Sequence, residues 1–215
     1  MKRAAVVVLL AIVAGAPFPP GVAGETIAFK LLPDYSRATF KSDAPLETVV
    51  GHAAAHGVLG TLSVDPEKPA GARGTIRVDM NSVRTGLDRR DADMRSKDFL
   101  ETDVDANRWV TFELTGVHIG EPLVAGQAMR AKVRGILTVK QKPLARVADA
   151  TVTWLRLTPE QLEVQKRFGF AADNIKVRAR LFTSFSNHGM RLPQILFFKV
   201  ADDIEIETDL TFARE

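Results

Sequence analysis

Apolar and polar residues alternate with a period of two through most of the chain, and that period most constrains the fold. Thr75-Ile76-Arg77-Val78-Asp79-Met80 puts Ile76, Val78 and Met80 on one face and Arg77 and Asp79 on the other. Val110, Phe112 and Leu114 repeat the pattern. Met129 to Val139 sets Met129, Ala131, Val133, Gly135, Leu137 and Val139 against Arg130, Lys132, Arg134 and Thr138. In Asp203 to Phe212, Ile204, Ile206, Thr208, Leu210 and Phe212 oppose Glu205, Glu207 and Asp209. Further strands are predicted at Ser36–Lys41, Gly57–Val64, Ala148–Leu155 and Lys176–Phe185, separated by turn material at Asp65–Gly71, Gly116–Gly126 and Thr158-Pro159-Glu160. One stretch, Leu87 to Lys97, is polar without alternation and predicts a short helix. There Asp88 is placed as its cap, and Leu87 and Met94 as its apolar contacts.

Strands with one apolar and one charged face form antiparallel sheets with one face buried, and closing the sheet into a barrel removes its edges. The predicted fold is therefore all-β: an extended antiparallel barrel of about eight strands with a short helix near 87–97. A two-sheet sandwich is the alternative. Periodicity does not separate a filled barrel from a hollow one.

The N-terminus begins Met1-Lys2-Arg3, continues with an unbroken apolar run from Ala4 to Ala14, and ends in Gly21-Val22-Ala23-Gly24. A basic start, a short apolar core and small residues at its end make a secretory signal peptide over 1–24, leaving 25–215 as a single exported domain. The run is about half of the ~20 residues that span a bilayer, and nothing later is long and apolar enough. A chain with no cysteine suits the bacterial periplasm, which is the expected location.

Several chemistries are excluded. Without cysteine there are no disulfides, thiolate zinc sites, iron–sulfur clusters or Cys nucleophile. The net charge is +3, two units of which come from Lys2 and Arg3, so no basic field for nucleic acid remains. His52 and His56 have the i, i+4 spacing of a helical metal pair, but in extended chain their rings lie about 13 Å apart. They are read as polar residues at a strand end or loop, with no metal. Ser184, Ser186 and His188 read as a polar loop, and Asp88, Asp91 and Asp93 interleaved with Arg89, Arg90 and Arg95 as a salt-bridged segment. An apolar face on every strand without a catalytic set or a cofactor motif is the profile of a non-enzymatic protein that binds something apolar.

The stretch Ser82-Val83-Arg84-Thr85-Gly86-Leu87-Asp88-Arg89-Arg90-Asp91-Ala92-Asp93-Met94-Arg95, running on to Phe99, resembles the signature of the YceI-like family. In that family a strand ending in Ser-x-x-Thr-Gly leads into an Arg-Asp-x-His-[Leu/Met]-Arg helix. Val110-Thr111-Phe112, Val133-Arg134-Gly135-Ile136-Leu137-Thr138, the opening Asp34 to Phe40, and the closing Phe185 to Pro193 with the Asp203 strand are similar to its other segments. Two positions depart from the pattern. Asp93 stands where the family motif has His, and Val139-Lys140-Gln141-Lys142-Pro143 lacks the usual turn glycine.

The resemblance implies a lipocalin-shaped periplasmic barrel holding a long isoprenoid chain, such as a polyprenyl phosphate or a quinone tail. On that reading the inward faces line an apolar tunnel: Ala38, Phe40, Ile76, Val78, Met80, Val110, Phe112, Leu114, Val133, Leu137, Ile204 and Ile206. Arg90, Arg95 and Arg134 are the head-group candidates. The expected partner is an isoprenoid or other long-chain amphiphile, and homodimerisation is left open. A filled barrel serving as an interaction module and an enzyme acting on a lipid are the alternatives.

Overall fold

The computed structural model describes residues 25–120, 122–195 and 198–215, so the leader over 1–24 lies outside the described residues. The first three long strands are each broken near their middles. β1 (Ile27–Leu31) continues into β2 (Arg37–Ala44), β3 (Glu47–Ala53) into β4 (Val58–Val64), and β5 (Arg73–Asp79) into β6 (Val83–Arg84). The strands β7 (Trp109–His118), β8 (Ala128–Val139), β9 (Lys142–Arg156) and β10 (Asp173–Ser184) run unbroken. A small hairpin, β11 (Gln194–Ile195) and β12 (Phe198–Lys199), precedes the last strand, β13 (Asp203–Arg214). Among the described residues, all pairings between these strands are antiparallel. β13 pairs with β10 on one side and with both β2 and β1 on the other, which closes an eight-stranded barrel. Closure removes the sandwich alternative.

At the three breaks, neighbouring segments supply hydrogen bonds that the ladder loses there. Ala54 N–H donates to the Ser82 carbonyl at 3.1 Å and Asp79 N–H to that of Gly57 at 2.8 Å. Leu32 N–H donates to the Thr211 carbonyl at 2.8 Å, while Thr211 N–H donates to Ser36 Oγ at 3.1 Å.

The period of two is realised across the sheet. One inward row runs Ala131, Ala150, Ala179, Thr208, Ala38 over five adjacent strands. The rows flanking it outside are Arg130-Thr151-Arg178-Asp209-Arg37 and Lys132-Asp149-Arg180-Glu207-Thr39. Ion pairs such as Lys41–Glu207 at 2.9 Å and Lys176–Asp209 at 2.8 Å decorate this face. Exposed pairs of this kind contribute little to stability. The β7 strand runs past Leu114 through an irregularity at Thr115, which turns Val117 inward alongside Leu114.

The helices differ from the sequence reading in two ways, and β7 runs on to His118 into the stretch read as turn material from Gly116. α1 (Asp88–Arg95) is capped at Leu87, whose side chain makes no capping bond, so Asp88 lies in the first turn instead of being the cap. Leu87 is exposed, and Met94 with buried Leu100 provides the apolar contact. Thr158-Pro159-Glu160 is the start of a second helix, α2 (Pro159–Gln165). There Thr158 and Gln161 form a reciprocal capping box with proline at the first helical turn.

Candidate functional site

Half of the barrel is solid. Away from α1, Phe29, Ile175, Leu31, Phe212, Val64 and Leu210 are all buried and pack together. Large side chains there lie on glycines of the neighbouring strand. Ile76 sits over Gly60 and Phe112 over Gly135, leaving no room for a Cβ at either glycine.

The other half holds a cavity of about 560 Å³. Its wall is built from Ala38, Phe40, Val49, Val78, Val83, Val110, Val139, Ile204 and Ile206 of the strands. Met94, Phe99, Leu100, Phe185, Met190 and Val200 close it from above. Its charged lining residues are Glu47, Asp88, Arg89, Arg90 and Asp93, all on α1 or opposite it. The cavity is therefore mainly apolar along its depth, with Ser42, Thr183 and His188 as polar groups on its wall, and charged at its mouth.

The roof is latched down by polar contacts. Asp91 is buried within α1, and its Oδ1 accepts the Thr85 N–H at 2.8 Å and the Thr85 hydroxyl at 2.6 Å. Burial works against its charge, but the two Thr85 bonds, with Arg95 and Arg84 nearby, hold its carboxyl below the usual range. Arg95 Nη2 donates to the Val83 carbonyl at 2.8 Å, and Arg90 Nη1 donates to Glu47 Oε1 at 2.8 Å. The segment after β10 is tied in by Arg191, whose N–H donates to the Asp98 carbonyl at 3.2 Å, and by Ala201 N–H to the Asp43 carbonyl at 2.7 Å. The β8–β9 turn has positive φ at Lys140 (49°) and Gln141 (59°), a conformation that glycine adopts more easily. Contacts to the roof hold it: Gln141 Nε2 donates to buried Asn107 at 2.9 Å and Lys140 Nζ to the Lys97 carbonyl at 3.0 Å.

The structure divides the twelve predicted tunnel residues. Ala38, Phe40, Val78, Met80, Val110, Ile204 and Ile206 line the cavity. Ile76, Phe112, Leu114, Val133 and Leu137 belong to the packed core below it, with Leu137 only 2% exposed. Of the head-group candidates, Arg90 lines the mouth, and both Arg90 and Arg95 keep a buried Nε without a partner among the described residues. Arg134 is exposed, pairs across to Gly116 and is not part of the cavity wall, because its position in the alternation turns it outward.

His188 lies in the turn directly after β10, yet it is fully buried on the cavity wall, its Nε2 2.7 Å from Thr183 Oγ1. Desolvation, then Arg146 and Lys142, push its pKa down, which favours the neutral ring. Nothing in the local sequence distinguishes it from a surface histidine. His52 is exposed on β3, and His56 lies in a turn 3.4 Å from Asp34. Among the described residues, no group of three His, Asp or Glu side chains is placed to hold a metal. None of the described helices is long and apolar enough to cross a membrane.

No curated protein matches the sequence. Solved structures share the fold at low identity. The crystal structure of Burkholderia cenocepacia BcnA is 19% identical, covering 82% of this chain and 95% of that one with a TM-score of 0.58. A polyisoprenoid binding domain from Saccharophagus degradans implicated in plant cell wall breakdown is 16% identical, covering 88% and 99% with a TM-score of 0.61. The Campylobacter jejuni YCEI protein is 16% identical, covering 79% and 86% with a TM-score of 0.58. The family model of the YceI-like domain matches residues 29–212, nearly the whole barrel, and the chain belongs to that family.

Proposed function

We propose that this protein is an exported, periplasmic carrier that sequesters an isoprenoid-type amphiphile, its apolar tail in the mouth half of the barrel and its polar head beside α1. The observation that carries this reading is the division of the cavity: mainly apolar, uncharged walls through its depth, and charged lining only at Glu47 and α1. Each buried methylene is worth about 0.8 kcal/mol, so the tail supplies most of the affinity. Arg90 lines the mouth, where its guanidinium can meet a phosphate or carbonyl oxygen of the head. Arg90 is the head-group residue of choice, with Arg95 beside it tied to Val83 and Arg134 left aside. The polyisoprenoid binding domain with the same fold supports the class of ligand.

The test is organic extraction of protein purified from the periplasm of an expressing bacterium, followed by mass spectrometry. A stoichiometric amphiphile with one apolar chain is expected. Protein that remains lipid-free after purification, and takes up no prenol or fatty-chain probe when offered one, would refute the carrier reading.

A further inference from the structure

On three adjacent strands, β5, β7 and β8, the cavity ends at one row of the sheet. On β5 Val78 lines it and Ile76 does not. On β7 Val110 lines it and Phe112 does not. On β8 Val139 lines it and Leu137 does not. Ile76, Phe112 and Leu137 are cross-strand neighbours, Ile76 against Phe112 and Phe112 against Leu137. The row is braced from outside its own side chains: Phe112 rests on Gly135 and Ile76 on Gly60. Below it, Phe29, Ile175 and Phe212 are 1%, 1% and 2% exposed, so the lumen does not reopen further down.

The volume above this row sets a length. A dry apolar cavity of about 150 Å³ accommodates one benzene, or about 25 Å³ per carbon. At that packing the 560 Å³ cavity holds about 22 carbons. We infer that the Ile76–Phe112–Leu137 row is a floor that restricts this protein to amphiphiles with a single tail of about twenty carbons, and that a chain of twice that length does not fit. The inference rests on the carrier reading and adds a length limit to it. Phe112 and Ile76 act here as specificity-determining residues.

The experiment offers the purified protein an equimolar mixture of three prenols, farnesol with 15 carbons, geranylgeraniol with 20 and solanesol with 45, and quantifies what remains bound by extraction and mass spectrometry. Affinity should climb up to the 20-carbon prenol at up to about fourfold per added methylene, and solanesol should be retained at least tenfold less than geranylgeraniol. Phe112→Ala, which lowers the floor, should shift the bound population toward the longer chain. Val110→Phe, which raises it, should shift the population toward farnesol and serves if Phe112→Ala does not fold. Solanesol bound as well as or better than geranylgeraniol by the unaltered protein overturns the length limit and leaves the carrier reading intact. Retention of none of the three overturns the carrier reading itself, and the limit with it.

Discussion

The buried Asp91 carboxylate is one of the contacts that latch the roof over the cavity, and its removal is a quantitative test of how α1 is held. Asp91 Oδ1 receives both the N–H and the hydroxyl of Thr85, at 2.8 and 2.6 Å, and Asp91 is only 3% exposed. Hydrogen bonds to a charged group are worth about 1.5–3 kcal/mol each. Because the two share one oxygen and alanine is the better helix former, Asp91→Ala should cost about 2–4 kcal/mol in total. With a urea m-value of about 2 kcal/mol/M, the unfolding midpoint drops by about 1–2 M. Asp91→Asn keeps an acceptor in place and should lose about half as much. A double-mutant cycle with Thr85→Val isolates the hydroxyl's share, which should appear as a coupling energy of about 1 kcal/mol or more. Asp91 has a depressed pKa, so its contribution is complete above the ordinary carboxylate value of 3.8 and is lost only as the pH falls through the lower folded value. The wild-type advantage over Asp91→Asn should therefore be constant from pH 5 to 8. An Asp91→Ala midpoint within 0.3 M of wild type would show that α1 is seated by other contacts and refute the reasoning.

Three further outcomes are expected. Leu137→Asp buries an unpaired charge in the packed floor and should unfold the domain, whereas Val78→Asp on the cavity wall should leave the circular dichroism spectrum intact and abolish uptake of an apolar probe; equal behaviour of the two would erase the boundary between core and cavity. His188 has its pKa lowered below the ordinary 6.5, so the unfolded chain binds the proton first and stability falls as the pH drops below about 6.5; thermal melts from pH 7.5 to 5 should show this slope, and His188→Gln should flatten it. The ring of Phe40 occupies the place of a side chain at Gly51, so Gly51→Leu should push it into the cavity and weaken probe uptake in a folded protein, with Phe40→Ala restoring uptake; an unchanged Gly51→Leu would show that the ring has another place to go.

Much of the barrel was legible in the residues. Where a strand alternates, its inward set was named correctly, from Ile76 and Val78 on β5 to Ile204 and Ile206 on β13, because a period of two leaves no choice of face. The strands β1 and β3 were missed. β1 is short, and β3 carries Gly51 and Ala53 at inward positions, so its apolar face is too slight to read. The position of α1 was read closely, but its cap was not. The bonds that seat the helix run from Thr85 to Asp91 across Gly86 at φ +84°, and a local capping rule does not anticipate a contact made by the preceding strand.

What the sequence alone determined about this protein is a closed sheet with an apolar inside, because alternation, turns and the cost of open edges permit little else. Tertiary structure alone decided that the inside is packed in one half and empty in the other. Alternation states which side chains point inward but not what meets them across the barrel. At the floor, Ile76 and Phe112 fill space because Gly60 and Gly135 give them seats. Above it, Ala38, Gly51 and Val78 leave space that the roof encloses without entering. His188 is buried for the same reason: the chain after β10 folds back across the barrel end, a path set by contacts with Asp98 and Asp43 more than forty residues away in sequence.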